Sequence, residues 1–167
     1  ATGGLKGDAD LTIEGAGQLW IEGSDGLGDI DATVTGGRLA NTGDMKDTDL
    51  DIRGGQAILA TDGATWEVGD GDVLSIFDGA AKVGFDGDNG GKAILDFDEG
   101  SKVLFDVDAN GQLGKIEEFR SGAHGDAPDV LSGIDLQGAT LEIDLAGLKA
   151  SAGESLTLMD ADEIAGL

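Results

Sequence analysis

The chain of 167 residues contains no cysteine and no tyrosine, and it has only one proline and one histidine. Without cysteine it cannot form disulfides, thiolate metal sites or a thiol nucleophile. Aromatic residues make up only 4% of the sequence, so a core must consist mainly of leucine, isoleucine and valine. No run of 18 apolar residues occurs, and the sequence therefore predicts no insertion into a membrane.

Positive charge is also scarce. Ten lysine and arginine residues stand against 34 aspartate and glutamate residues, which gives a formal net charge of -24. Proteins bind nucleic acids and anionic lipid surfaces by placing lysine and arginine against phosphates. The charge balance therefore excludes nucleic acid as a partner.

Glycine is abundant, with 31 residues, and it separates short stretches in which apolar residues alternate with polar ones. The first clear pair is Leu11 and Ile13, and a period of two predicts strands with one buried face. The pattern recurs at Leu19/Ile21, Leu50/Ile52, Leu74/Ile76 and Val103/Phe105. Glycine and aspartate between these pairs predict turns. Only residues 113–120 and 160–165 are candidates for short helices.

An internal repeat carries most of the fold prediction. Residues 77–91 align without a gap on residues 97–111, and eight of the fifteen positions are identical. Such a short unit cannot bury its apolar side chains alone, so neighbouring units must stack. The sequence therefore predicts an all-β, parallel β-solenoid (β-helix) with rungs of about 20 residues, in which Phe85 lies over Phe105. A β-sandwich is the alternative, because its strands also recur at short, regular intervals.

We expect one domain over residues 1–167. Repeat rungs occupy 1–120, a loop occupies 121–133, and further strands with a cap occupy 134–167. The loop contains the only histidine, His124, and a lone histidine in a glycine-rich loop is usually exposed. No pair of carboxylates stands out as an acid and base, so we expect no catalytic residues and no enzyme activity.

The sharpest local motif is DVDANGQLGKIE at residues 106–117, which matches the calcium loop of the EF-hand. Calcium takes six to eight oxygen ligands, a glycine permits the sharp turn, and a distal glutamate supplies two oxygens. The expected Ca²⁺ ligands are Asp106, Asp108, Asn110, Gln112 through its carbonyl, and Glu117. A strand-like segment precedes the loop, so it is not an ordinary EF-hand. The alternative is that these acids only form turns.

A second, weaker calcium candidate lies at residues 86–91. It keeps Asp86 and Asp88, but Phe97 stands where the distal glutamate would be.

Two further expectations concern the placement of lysine and tryptophan side chains. Lys82 and Lys102 should lie one above the other on neighbouring rungs, and both tryptophans should be buried.

The glycine- and aspartate-rich short rungs, the lack of cysteine and the late segment LEIDLAGL…GESLTLMDADEIAGL together resemble the β-solenoid domains of bacterial secreted and surface-attached proteins. Autotransporter passenger domains are examples. The resemblance implies an extracellular or cell-surface location and a role in adhesion or assembly. The first residues, Ala1-Thr2-Gly3, are compatible with removal of a leader, which adds a hypothesis of secretion.

The expected function is therefore a non-enzymatic structural, adhesive or assembly module of the cell surface, stabilised by calcium. Its expected partners are other copies of the chain, or a surface polysaccharide or protein. Two alternatives remain at this point. One is a carbohydrate-active β-helix protein that binds or degrades a polysaccharide, and the other is a component of a virion or particle surface.

Overall fold

A computed structural model of the protein describes residues 5–21, 26–61, 63–85, 91–108, 110–120 and 132–166. These residues form fourteen strands and no helix. The strands belong to one continuous sheet, in which each strand pairing is parallel. Ten strands that follow one another through the sheet curl through 286° as an open half-barrel. The predicted all-β class is confirmed.

The strands take their numbers from chain order. They are β1 (Leu5–Glu14), β2 (Gln18–Ile21), β3 (Leu27–Thr35), β4 (Arg38–Asn41), β5 (Met45–Lys46), β6 (Leu50–Thr61), β7 (Thr65–Val68), β8 (Val73–Phe85), β9 (Ala93–Phe97), β10 (Lys102–Phe105), β11 (Lys115–Arg120), β12 (Ser132–Asp135), β13 (Thr140–Ile143) and β14 (Glu163–Ala165). Residues 115–120 and 163–165 are thus strands, and the helix expectations for 113–120 and 160–165 were wrong.

The chain passes through three faces in each rung of the coil. Face A consists of β1, β3, β10 and β13 with the first halves of β6 and β8. Face B consists of β2, β4 and β11 with the second halves of β6 and β8. Face C consists of β5, β7, β9, β12 and β14, and the first residues of β3 pair with it. The order C, A, B repeats along the chain, and this stacked parallel arrangement is that of a β-solenoid, as predicted.

Two apolar ladders on the inner side of face A hold the rungs in register. The first contains Leu11, Ala32, Leu50, Leu74, Val103 and Leu141. The second contains Ile13, Val34, Ile52, Ile76, Phe105 and Ile143. Neighbouring members are one strand spacing apart, about 4.8 Å, so each side chain packs on the one before it. The members between the two ends of each ladder are buried.

The two tryptophans have different environments. Trp66 is fully buried on face C between Met45 and Leu95, and its ring lies 6.5 Å from that of Phe97. Trp20 points outward from face B and is 40% exposed. The expectation of burial was therefore confirmed for Trp66 and wrong for Trp20, because alternation in β2 places the partly buried Leu19 and the buried Ile21 on the inner side.

Rung length increases along the chain. On face A, a short stretch of chain leads from Ala32 to its in-register neighbour Leu50, whereas a much longer stretch leads from Val103 to its neighbour Leu141. The predicted rung length therefore describes only the first turns of the coil. Longer connections between the later strands, such as residues 106–114, account for part of the difference.

The predicted stacking of Phe85 on Phe105 is wrong. Phe105 pairs with Ile76, and the backbone of Phe85 pairs with that of Arg120. The internal repeat compares a strand of face B with a strand of face A. Each strand with its turn has the same alternation on every face, so sequence similarity detects the strand unit and not the full rung.

The shifted register also separates the two lysines that were expected to stack. Lys82 lies beside Glu117 on face B, and Lys102 lies beside Val73 and Thr140 on face A.

Strands β12, β13 and β14 continue faces A and C, so the coil extends through residues expected to form strands and a cap. Most of the expected loop, residues 121–131 with His124, lies outside the described residues.

Candidate functional site

Faces A and B meet at a corner where successive rungs approach closely. The corner is formed by a column of glycines, which are Gly17, Gly37, Gly55, Gly79 and Gly114. A Cβ atom added to Gly37 would lie 2.8 Å from the carbonyl oxygen of Gly17, and one added to Gly55 would lie 2.8 Å from that of Gly37. Only glycine fits this backbone approach without displacement. The sequence therefore needs glycine at this corner in each rung.

The missing side chains leave an open groove of about 550 Å³ along the corner. One wall is a row of residues that each follow a corner glycine and are in-register neighbours on face B. The row is Gln18, Arg38, Gln56, Ala80 and Lys115. Four strand spacings separate its first and last members, so the groove extends over about 19 Å. Asp78 and Glu117 line the same groove.

Arg38 is the central cation of this groove. Its guanidinium lies over the ring of Trp20, 5.9 Å from the ring centre. Its Nε atom is buried and has no hydrogen-bond acceptor, and among the described residues Arg38 has no ion pair. A buried N–H group without an acceptor is costly, so the site favours a ligand that supplies one.

The predicted calcium loop adjoins the end of the groove. The carboxylate of Asp108 organises it, since its Oδ1 atom accepts hydrogen bonds from the backbone amides of Asn110 (2.9 Å) and Gln112 (2.6 Å). Its Oδ2 atom accepts from Nδ2 of Asn110 at 2.7 Å. The amide of Asp108 in turn donates to the carbonyl oxygen of Gln112 at 2.8 Å. Hydrogen bonding, first from the Gln112 amide, lowers the pKa of Asp108.

A second carboxylate lies against this loop. Asp78, at the corner of the preceding rung, lies close enough to Asp108 for the two carboxyl groups to interact. Burial, followed by the negative charge of Asp108, raises the pKa of Asp78. Two adjacent carboxylates repel unless a proton or a cation lies between them. Asp78 lies outside the calcium-loop motif at residues 106–117, so the motif alone did not predict its proximity to Asp108.

The fifth predicted ligand is engaged elsewhere. Glu117 lies on β11, where its carboxylate pairs with Lys115 and, at 3.5 Å, with Lys82 of β8. Burial alone would raise the pKa of Glu117, but hydrogen bonding and positive charge from these two lysines lower it. Asp106 accepts a hydrogen bond at Oδ1 from the neighbouring amide of Val107 at 2.6 Å.

The structure therefore brings Asp106, Asp108, Asn110 and Gln112 into one turn and pairs Glu117 with lysines. In the described part of the chain no group of three or more histidine, cysteine or acidic side chains is arranged to hold a metal ion. The weaker candidates Asp86 and Asp88 lie outside the described residues.

Other acids have structural contacts between rungs. Oδ1 of Asp49 accepts a hydrogen bond from the amide of Val73 at 2.7 Å, and Oδ1 of Asp44 accepts one from the amide of Thr65 at 3.0 Å. Both bonds join a turn to the next rung. These two carboxylates therefore have a structural role between rungs.

An acidic ladder on the outer side of face C was not foreseen. Glu67, Asp96 and Asp135 are in-register neighbours on three successive strands. Burial, then the charges of Asp135, Asp98 and Glu67, raises the pKa of Asp96. Like charges placed opposite each other destabilise a sheet.

Sequence reasoning also missed the groove, although a signal was present. A corner glycine precedes each member of the polar row, as in Gly17-Gln18, Gly37-Arg38 and Gly55-Gln56. Without the strand register these dipeptides read as ordinary turns.

Comparisons with protein-family models, with curated proteins and with solved structures gave no match to this chain. None of the described residues forms a helix long and apolar enough to span a membrane.

Proposed function

We propose that the protein is a structural and assembly module of the extracellular space or cell surface, without catalytic activity, whose copies stack end to end. The observation that carries the proposal is the last rung of the coil. Leu141 and Ile143 belong to the inner ladders of face A, yet each is 41% exposed. Ile164, on β14 of face C, is 38% exposed. Apolar side chains that elsewhere form the core are therefore presented at this end.

A second copy of the chain fits this end because the same ladders begin at the opposite end. Leu11 and Ile13 start the two ladders that finish at Leu141 and Ile143. A copy stacked head to tail would place its Leu11 and Ile13 one strand spacing beyond this rung. Among the described strands, β13 pairs only with β10 and β1 pairs only with β3, so the remaining edges of β13 and β1 would then pair with each other. A head-to-tail contact of this kind is open and generates filaments.

Self-association tests this proposal. Wild-type protein should form oligomers whose size increases with concentration in sedimentation velocity experiments. Leu141→Lys places a charge within the stacked ladder and should leave a monomer. Ile94→Lys is the control, since Ile94 is a partly exposed apolar residue on the outer side of β9. Wild-type protein that remains monomeric up to high concentration would overturn the stacking.

Calcium is the ion that we propose stabilises the module. The support is the Asp78–Asp108 contact, where a cation would relieve repulsion between two carboxylates. The adjoining turn adds the backbone carbonyl oxygens of Asp106, Asp108 and Gln112, and calcium accepts carbonyl oxygens as ligands. Glu117 has no role in this revised site because its lysine partners neutralise it.

Calcium at about 10 mM should raise the melting temperature by about 3–10 °C over that in chelator, as expected for a millimolar extracellular site. Asp108→Asn should abolish most of this increase. Asp144→Asn is the matched control, because Asp144 caps a similar turn by accepting a hydrogen bond from the Ala146 amide at 2.8 Å. Equal calcium responses of the wild type and Asp108→Asn, measured by calorimetry, would contradict the site.

A further inference from the structure

The groove between faces A and B has the chemistry of a binding site for a chain of sugars. Its volume of about 550 Å³ lies within the range of small-molecule sites. Unlike a compact pocket, it runs along five successive rungs, so it suits an extended ligand parallel to the coil axis. The glycine column keeps its floor free of side chains.

The groove offers both hydrogen-bond donors and hydrogen-bond acceptors. Gln18 and Gln56 each have an amide that both donates and accepts, Arg38 only donates, and an ionised Asp78 only accepts. Sugar hydroxyls both donate and accept, so adjacent hydroxyls match such a mixed row. The buried Nε atom of Arg38 supplies a donor whose acceptor is missing among the protein atoms.

The charges in and around the groove favour a neutral sugar chain over an acidic one. Asp78 lines the groove, and the chain as a whole has a net charge of -24. Both oppose the approach of a polyanion. Lys115 is already paired with Glu117, which leaves Arg38 as the cation of the groove that has no ion pair among the described residues.

We infer that this groove binds a neutral, linear oligosaccharide, with Arg38 and the amides of Gln18 and Gln56 hydrogen-bonded to its hydroxyl groups. Trp20 holds the guanidinium of Arg38 in place from the outer side. The inference goes beyond the proposed assembly function and does not depend on it, since the groove lies on the side of the coil and the stacking residues lie at its ends.

Isothermal titration calorimetry with neutral linear hexasaccharides of glucose, mannose and xylose tests this site, with a galacturonic acid hexamer as the charged comparison. At least one neutral hexamer should bind. Arg38→Ala should weaken its binding about 10- to 100-fold, because a charged hydrogen bond is lost. Gln56→Ala is a second groove variant that keeps the Arg38–Trp20 contact intact.

Arg53→Ala is the matched control for the loss of an arginine. Arg53 lies over Phe77 at 4.3 Å and pairs with Asp51 at 2.7 Å, outside this groove. The affinity of the Arg53→Ala variant for the neutral hexamer should equal that of the wild type. Three results would overturn the inference: no neutral hexamer binds, only the galacturonic acid hexamer binds, or Arg53→Ala weakens binding as much as the two groove variants.

Discussion

Replacing Phe105 with alanine is expected to lower the free energy of unfolding by about 3–5 kcal/mol. Phe105 has no solvent exposure and stacks between Ile76 and Ile143 in an inner ladder of face A. Neighbouring rungs fix the positions of the surrounding side chains, so the structure can close only part of the resulting cavity. Urea or guanidinium denaturation measures the loss.

Phe77 provides the control for this substitution. It is only partly buried, and it lies under the guanidinium of Arg53 on the outer side of the coil. Phe77→Ala should cost about 1 kcal/mol, since it loses a surface cation–π contact and leaves no internal cavity. Similar losses for Phe105→Ala and Phe77→Ala would contradict the assignment of Phe105 to the core.

Gly79→Ala should destabilise the protein by about 3–5 kcal/mol, through backbone strain and crowding together. Gly79 has a φ of 117°, and a Cβ atom there would lie 2.2 Å from the carbonyl oxygen of Gly55. That oxygen belongs to the backbone of the preceding rung, so it cannot move without disturbing the sheet. Thermal unfolding of the two proteins measures the difference.

Gly71→Ala is the control that separates backbone strain from crowding. Gly71 also has a positive φ, 93°, but a Cβ atom there meets nothing within 4 Å. It should therefore cost only the strain of the left-handed conformation, about 1–2 kcal/mol. If Gly71→Ala were as damaging as Gly79→Ala, the close approach of rungs at the glycine corner would not be the reason that glycine is needed there.

The sequence predicted the fold class because its strongest signals are local. Alternation at pairs such as Leu50/Ile52 and Leu74/Ile76 predicts strands, and these pairs are indeed stacked on face A. The register between strands of neighbouring rungs could not be predicted, because no local sequence pattern specifies it. Since strands on all three faces share one alternation, the repeat that pairs Phe85 with Phe105 could not distinguish the next strand from the next rung.

The candidate site was only partly predictable for the same reason. Asp108, Asn110 and Gln112 lie in one turn, which the short spacing of the motif already indicates. Asp78 comes from another rung and lies much earlier in the sequence, so its contact with Asp108 follows from the stacking alone. Glu117 matched the motif in sequence, but the neighbouring strand supplied Lys82 as its partner.

End-to-end stacking is the central claim about function, and directional cross-linking tests it most directly. Thr12 and Glu142 are exposed on the outer side of face A and belong to one ladder, at its first and last rungs. In a head-to-tail pair, Glu142 of one copy would lie beside Thr12 of the next, within the distance that a disulfide spans. The wild-type chain has no cysteine to interfere.

The measurement uses two single variants, Thr12→Cys and Glu142→Cys, oxidised separately and as a mixture. Stacking predicts that the mixture yields a covalent heterodimer containing one copy of each variant. Each variant alone should remain uncross-linked, because two first rungs or two last rungs do not meet. A mixture that yields no heterodimer, or homodimers as abundant as heterodimers, would contradict the account.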